Sequence, residues 1–248
     1  LEYYNPSGSM KDRAALHIID SAYKLGVINN QTTIIESSSG NFGIALAAIC
    51  KKMGLYFICV IDANTNSTIE KLLEIYGAKI IKITHADKYG GYLINRLTKV
   101  KEILSQGDNI YWINQYENML NAEAYYSLAD EILLDVKKID YIFVPVSSGG
   151  TITGISRRIK EKSPATKIIA VDSVGSVIFG GQAKKRHIPG LGSSIVPTIL
   201  KQAHIDDVVS VEETDMVLKC REYFNKNNVL IGGSSGACLH AVEKYCNL

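Results

Sequence analysis

Long apolar runs are missing from this chain. None reaches the ~20 residues that a membrane span needs, and the first residues carry no secretory-signal pattern. Paired cysteines are missing as well. Cys50, Cys59, Cys220, Cys238 and Cys246 are odd in number and scattered, with no C-x-x-C, which argues against a disulfide framework or a structural zinc site. Cys50, Cys59 and Cys238 lie in apolar periodic segments and read as small core residues. The five histidines show no ligand spacing, so no metal is expected. Charge of one sign is scarce: a formal net charge of +2 gives no footprint for nucleic acid or an anionic membrane. No fixed-period repeat and no low-complexity tract occurs. A reduced, cytoplasmic setting is expected.

What is present is an alternation. A length of 248 residues, 46% of them hydrophobic, allows a real core and two lobes. Helical patterns over 11–25, 42–53, 67–76, 91–104 and 121–137 alternate with strand patterns over 32–36, 55–61, 78–83 and 109–113. The second half repeats the theme, with strands at 141–146, 167–171 and 208–211, and helices at 151–162, 214–226 and from 236 onward. Leu1–Tyr4 reads as part of a strand, and both ends of the chain read as cut. Alternating units of this kind predict an α/β fold with mostly parallel sheets flanked by helices, and ligands beyond the C-terminal strand ends. One stretch, 173–206, breaks the rhythm; irregular segments of that length are usually functional or disordered.

Lys11 is the first chemical signal. It follows the Gly/Ser loop Asn5–Met10 at the start of a helical pattern, where the helix dipole disfavours an ammonium. A lysine with a destabilised charge is a better nucleophile and forms Schiff bases with carbonyl cofactors. Three strand-to-helix loops share a second grammar. Glu36-Ser37-Ser38-Ser39-Gly40-Asn41 and Val146-Ser147-Ser148-Gly149-Gly150-Thr151 place hydroxyls and backbone amides at helix N-termini, which suits anions. Gly232-Gly233-Ser234-Ser235-Gly236-Ala237 is the third. No lysine lies inside the second loop, so it is not a nucleotide-hydrolase P-loop. Its distance to Asp172 mimics a dinucleotide-binding unit, but Gly149–Gly154 is not G-x-G-x-x-G, and that reading leaves Lys11 and the first loop without roles.

In order along the chain, these motifs resemble those of the fold-type II pyridoxal-phosphate enzymes, the cysteine synthase family. Asn5–Arg13 is similar to the lysine motif, Glu36–Gly43 to the asparagine loop, Ser147–Gly154 to the phosphate cup and Gly233–Ala237 to the pyridine-nitrogen loop. The resemblance implies a tryptophan synthase β-subunit-like architecture. A smaller lobe would span 11–115 and a larger one 1–10 with 116–248, the cofactor cleft lying between them. It implies that Lys11 holds pyridoxal 5'-phosphate as a Schiff base and that Asn41 bonds its ring hydroxyl. Ser147, Ser148, Gly149, Gly150 and Thr151 would form the phosphate cup, and Ser235 would face the pyridine nitrogen. Ser38, Ser39, Gly40 and Gln115 would take the substrate carboxylate. A homodimer acting on amino acids is implied, and the family's segments before Leu1 and after Leu248 would be absent.

The pattern also departs from a plain cysteine synthase. Ser147 stands where the family has glycine, and Phe42 where it has threonine. Tyr111–Tyr116, Gly175–Gly180 and Ile188–Gly192 are similar to a subgroup that makes 2,3-diaminopropionate precursors for siderophores and peptide antibiotics, the N-(2-amino-2-carboxyethyl)-L-glutamate synthases. That likeness implies β-replacement on O-phospho-L-serine by L-glutamate, with Arg96, Tyr116 and Ser147 contacting the extra anionic groups; an Arg fork suits phosphate and carboxylate. Cysteine synthase is the alternative activity. A truncated cofactor-binding or partner-binding relic is the non-enzyme alternative.

Overall fold

The computed structural model describes residues 1–87 and 91–246. They divide into two compact units, Leu1–Ala124 and Tyr125–Leu248. In the first, α1 (Lys11–Lys24), β1 (Thr33–Ser37), α2 (Asn41–Met53), β2 (Tyr56–Asp62), α3 (Ser67–Ile75), β3 (Lys79–Ile83), α4 (Leu93–Leu104), β4 (Ile110–Trp112) and the short α5 (Leu120–Glu123) follow in order. The strands form one parallel sheet in the order β3-β2-β1-β4. Side chains alternate faces along a strand. Ile35, Ile58 and Val60 therefore meet Val100 of α4 in one core cluster, whereas Cys59 points toward Gly43 of α2. The apolar body of α2, buried from Phe42 to Ala47, seats its first turn firmly at the end of β1.

The second unit holds α6 (Tyr126–Asp135), β5 (Tyr141–Pro145), α7 (Gly150–Lys162), β6 (Lys167–Ser173), β7 (Asp207–Val211), α8 (Glu213–Asn227) and α9 (Gly233–Cys246). Its sheet is also parallel, in the order β5-β6-β7. Ile169, Val171, Val209 and Val211 pack with Met216 of α8 and with Ala237 and Ala241 of α9. Among the described residues no helix is long and apolar enough to cross a membrane.

Three local expectations change. Leu1–Tyr4 is not a strand; Glu2–Tyr4 form a 3-10 turn, tied down by Arg13 gripping Glu2 at 2.8 Å. The expected helix over 121–137 is two helices, because the backbone leaves helical values at Tyr125 (φ −97°, ψ 3°), where the ring is fully buried. The last helix begins at Gly233, so Gly233–Ala237 is its first turn and not a preceding loop.

The α8–α9 contact is close at Gly236. A Cβ there would sit 2.5 Å from the Met216 carbonyl oxygen and 2.5 Å from Cys220 Sγ. Backbone on one side leaves little room to yield, so Gly236→Ala should destabilise the second unit by about 1–3 kcal/mol. Thermal unfolding should show a Tm lowered by several degrees.

Candidate active site

In the first unit the expected residues gather at the C-terminal edge of the sheet. Ser37 ends β1 and is buried, its Oγ without a partner among the described residues. Ser38 Oγ accepts from the Gly43 amide at 2.9 Å, which caps the first turn of α2. Ser39 Oγ accepts from Arg96 Nη1 at 2.8 Å. Both hydroxyls thus have an acceptor position filled by the protein, and each keeps its proton to donate to an anion. Gly40 is the N-cap of α2 and carries no side chain to cap it, and Asn41 is the first helical residue and is exposed.

Arg96 projects from α4 and is only 8% exposed. Its second contact is Asp62 Oδ2 at 3.3 Å, at the end of β2, and its Nε is buried with no partner among the described residues. Gln115 is buried beyond β4; its Nε2 donates to the Ser37 carbonyl at 3.1 Å, and its own carbonyl accepts from Asn121 at 2.7 Å. Tyr116 follows it in the turn toward α5, half-buried. Lys11 is the first residue of α1, half-buried, and its ammonium has no partner among the described residues. The backbone ahead of it is folded by Asp12 accepting from Ser7 N at 2.8 Å and by Ser9 Oγ accepting from Lys11 N at 3.2 Å.

In the second unit Ser147, Ser148, Gly149, Gly150 and Thr151 join β5 to α7. Gly149 has φ +86°, which side chains rarely adopt, and it starts the helix with no side-chain cap. The amides of 150–152 precede the first intrahelical bond, from Thr153 N to Gly149 O, and so point outward as anion donors. Ser147 Oγ donates to the Gly192 carbonyl at 3.1 Å. Its proton is engaged there; lone pairs are what it has left to offer. Ser235 lies in the first turn of α9 and is exposed.

Sequence reasoning assigned no role to Glu36 or Asp62. Both are acids at the C-terminal ends of apolar strands, and that position was the available signal. Glu36 is fully buried, and desolvation pushes its carboxyl up to about 7 despite amide donors from Ser37 and Gln115. Burial likewise raises the Cys50, Cys59 and Cys238 thiols to about 12; Cys50 and Cys59 are inert core residues, and Cys238 is partly buried against the core of the second unit.

Comparisons with known proteins bear on the family and the fold. All of residues 1–248 match a family described as pyridoxal-phosphate dependent enzyme. An O-acetylserine dependent cystathionine beta-synthase from Helicobacter pylori is similar at 32% identity and a TM-score of 0.93, covering 100% of this chain and 81% of its own. A hydrogen sulfide-producing enzyme from Fusobacterium nucleatum is similar at 32% identity, TM-score 0.91, with 99% and 82% covered. An O-ureido-L-serine synthase matches at 28% identity, TM-score 0.86, with 97% and 76% covered.

The Glu36 carboxyl makes stability depend on pH. The unfolded chain releases this proton near 4.5, the folded protein only near 7. Between these values the folded state binds more protons, so the contribution to stability falls as pH rises, by up to about 1.4 kcal/mol per pH unit, and is flat above the window. Glu36→Gln should remove that slope. Denaturant unfolding of both proteins at pH 5 and pH 8 should show the wild type losing ground to the variant at the higher pH.

Proposed function

The chain belongs to the pyridoxal-phosphate dependent enzymes, in the cysteine synthase group, and from that premise we propose β-replacement on O-phospho-L-serine with L-glutamate as nucleophile. The products would be N-(2-amino-2-carboxyethyl)-L-glutamate and phosphate: the Cβ–O bond breaks, and a bond from Cβ to the glutamate nitrogen forms. The observation that carries this reading is the buried Arg96 donating to Ser39, a guanidinium built into a loop that already has hydroxyl and amide donors for one carboxylate.

The donors present fit pyridoxal phosphate. The uncapped first turn of α7, entered through left-handed Gly149, offers amides to a phosphate, and Lys11 offers an unpartnered amine. When bound, the cofactor supplies an electron sink that makes the amino acid Cα proton removable and lets a β-substituent leave. Lys11 takes the proton from Cα and returns it, as general base and then acid. Ser148, Gly149, Gly150 and Thr151 hold the cofactor phosphate, Asn41 its ring hydroxyl and Ser235 the ring nitrogen. A neutral serine at that nitrogen need not keep it protonated, which favours loss of a β-substituent over transamination. Ser38, Ser39, Gly40 and Gln115 orient the substrate carboxylate. Arg96 and Tyr116 meet the anionic groups of phosphoserine and glutamate. Ser147, with its proton on Gly192, accepts from the incoming amine.

The names of two relatives, an O-acetylserine dependent cystathionine beta-synthase and a hydrogen sulfide-producing enzyme, favour one other reading, cysteine synthesis from an activated serine. One experiment separates them. Cofactor-loaded protein should absorb in the visible, and Lys11→Ala should lose that band. Phosphoserine alone should release about one equivalent of phosphate per site, and continued release should require glutamate. Arg96→Gln should lower kcat/KM for phosphoserine by about 100-fold, the value of a charge-assisted bond, and for O-acetylserine by under about tenfold. Efficient use of O-acetylserine with sulfide, and none of phosphoserine, would hand the assignment to cysteine synthase.

A further inference from the structure

β1 and β4 pair in parallel, and their ladder closes with Ile113 N donating to Ile35 O at 3.2 Å. Beyond it the backbone at Asn114 turns left-handed, with φ +52°, and β4 swings away. The next residue, Gln115, would otherwise have lost its bond to β1. The Glu36 side chain takes that rung's place. One carboxylate oxygen accepts from Ser37 N at 2.8 Å and the other from Gln115 N at 3.3 Å. In return, Gln115 Nε2 donates to the Ser37 carbonyl. Two segments that are far apart in sequence are thereby stitched by two hydrogen bonds, and the bond from Ser37 N fixes the carboxylate that makes one of them.

Among the described residues this carboxylate has no ion-pair partner. It is fully buried; Cys59, its partner in the β1–β2 register, feels both Glu36 and Arg96, and Arg96 is engaged with Asp62 and Ser39. Burying an acid without a counter-charge is unfavourable, and an apolar residue would serve a sheet core better. The raised carboxyl reflects that penalty. What an acid does here that no apolar residue can is grip two amides at once.

We propose that Glu36 is a positioning residue for substrate recognition: it locks Gln115 to the Ser37–Gly40 loop, so that the carboxylate subsite is set before the amino acid arrives. The proposal rests on the reading that this loop and Gln115 receive the substrate carboxylate. Glutamine at position 36 has one acceptor oxygen, and its amide group would face an N–H with another N–H. One of the two amides is then released, whichever way the side chain turns.

The test uses the full chain with Glu36→Gln. In the cofactor-loaded enzyme, KM for the amino acid substrate should rise about tenfold or more, with kcat within about threefold and cofactor affinity unchanged. The wild type should prefer the substrate over its carboxamide, and the variant should lose most of that preference. Amide exchange read by mass spectrometry, with and without cofactor, should accelerate together in 36–41 and 113–116 and stay unchanged across α7. Exchange that speeds up throughout the first unit while KM is unmoved would make Glu36 merely structural and overturn the proposal. So would a variant that discriminates the carboxamide as the wild type does. A wild type that fails to discriminate would bring down the carboxylate-subsite reading itself and the proposal with it.

Discussion

Parallel strands end on one edge of their sheet, and every helix that follows a strand begins there. Most of the candidate chemistry in this protein follows from that constraint. At that edge the strand amides run out of ladder partners, and the first-turn amides of the helices never had any. β1 enters α2 through Ser37–Gly40, and β5 enters α7 through 146–149. The β1–β2 register sets Ser37 beside Val60, which brings Asp62 to the same edge two residues later. Hydrogen-bond donors are concentrated there by chain direction more than by composition. Buried apolar surface, such as Phe42–Ala47 of α2 and Ile152, Ile155 and Ile159 of α7, holds the donors in place.

Each sheet also buries an acid at the end of an interior strand. Glu36 is the last residue but one of β1, which lies between β2 and β4; Asp172 is the last but one of β6, which lies between β5 and β7. Both accept from the amide of the residue that follows, at 2.8 Å in each case. Both carboxyls are raised by desolvation. They differ in company. Asp172 also has the Ser176 hydroxyl and the charge of Arg186, whereas Glu36 has amide donors. A side chain that satisfies its neighbour's amide fixes the first step out of the strand, and that step aims the loop. In the first unit the loop so aimed carries the candidate anion donors.

Much of the architecture was legible in the sequence because it rests on local periodicity. The pattern Thr32–Glu36 followed by an Ala-rich apolar run marks a strand entering a buried helix, and the structure has β1 and α2 there. Lys11 at a helix start and the serines at strand ends were legible for the same reason. Features that depend on tertiary partners were not. Nothing local says that Tyr125 is buried and splits a helix, or that Glu2 is held by Arg13 in a turn. Spacing alone showed Arg96 as one of several charged residues on a helical pattern, and only the family likeness gave it a role; its burial against Asp62 and Ser39 is set by residues 34 and 57 positions away. The substitution of bonds around Glu36 needs the left-handed turn at Asn114, which the sequence signals weakly.

The irregular segment 173–206 shows how length without periodicity can still be order. Lys184 N bonds Gly175 O, Val177 N bonds Ser193 O, and the Glu213 carboxylate accepts from both His187 N and Ile188 N at 2.7 Å. The segment then reaches the start of the α7 loop, where Gly192 N donates to Val146 O at 2.8 Å and Gly192 O takes the Ser147 proton. Gly192 has φ +71°, and a Cβ there would meet Ser176 and Asp172, so the approach requires glycine. A hydroxyl at 147 is thus oriented by the backbone rather than left to rotate. With its proton engaged, it is matched to an N–H more than to a phosphate oxygen. In the proposed reaction, recognition of anionic groups is therefore assigned to Arg96 and the serines of the first unit, which keep their protons, and contact with the amine to Ser147.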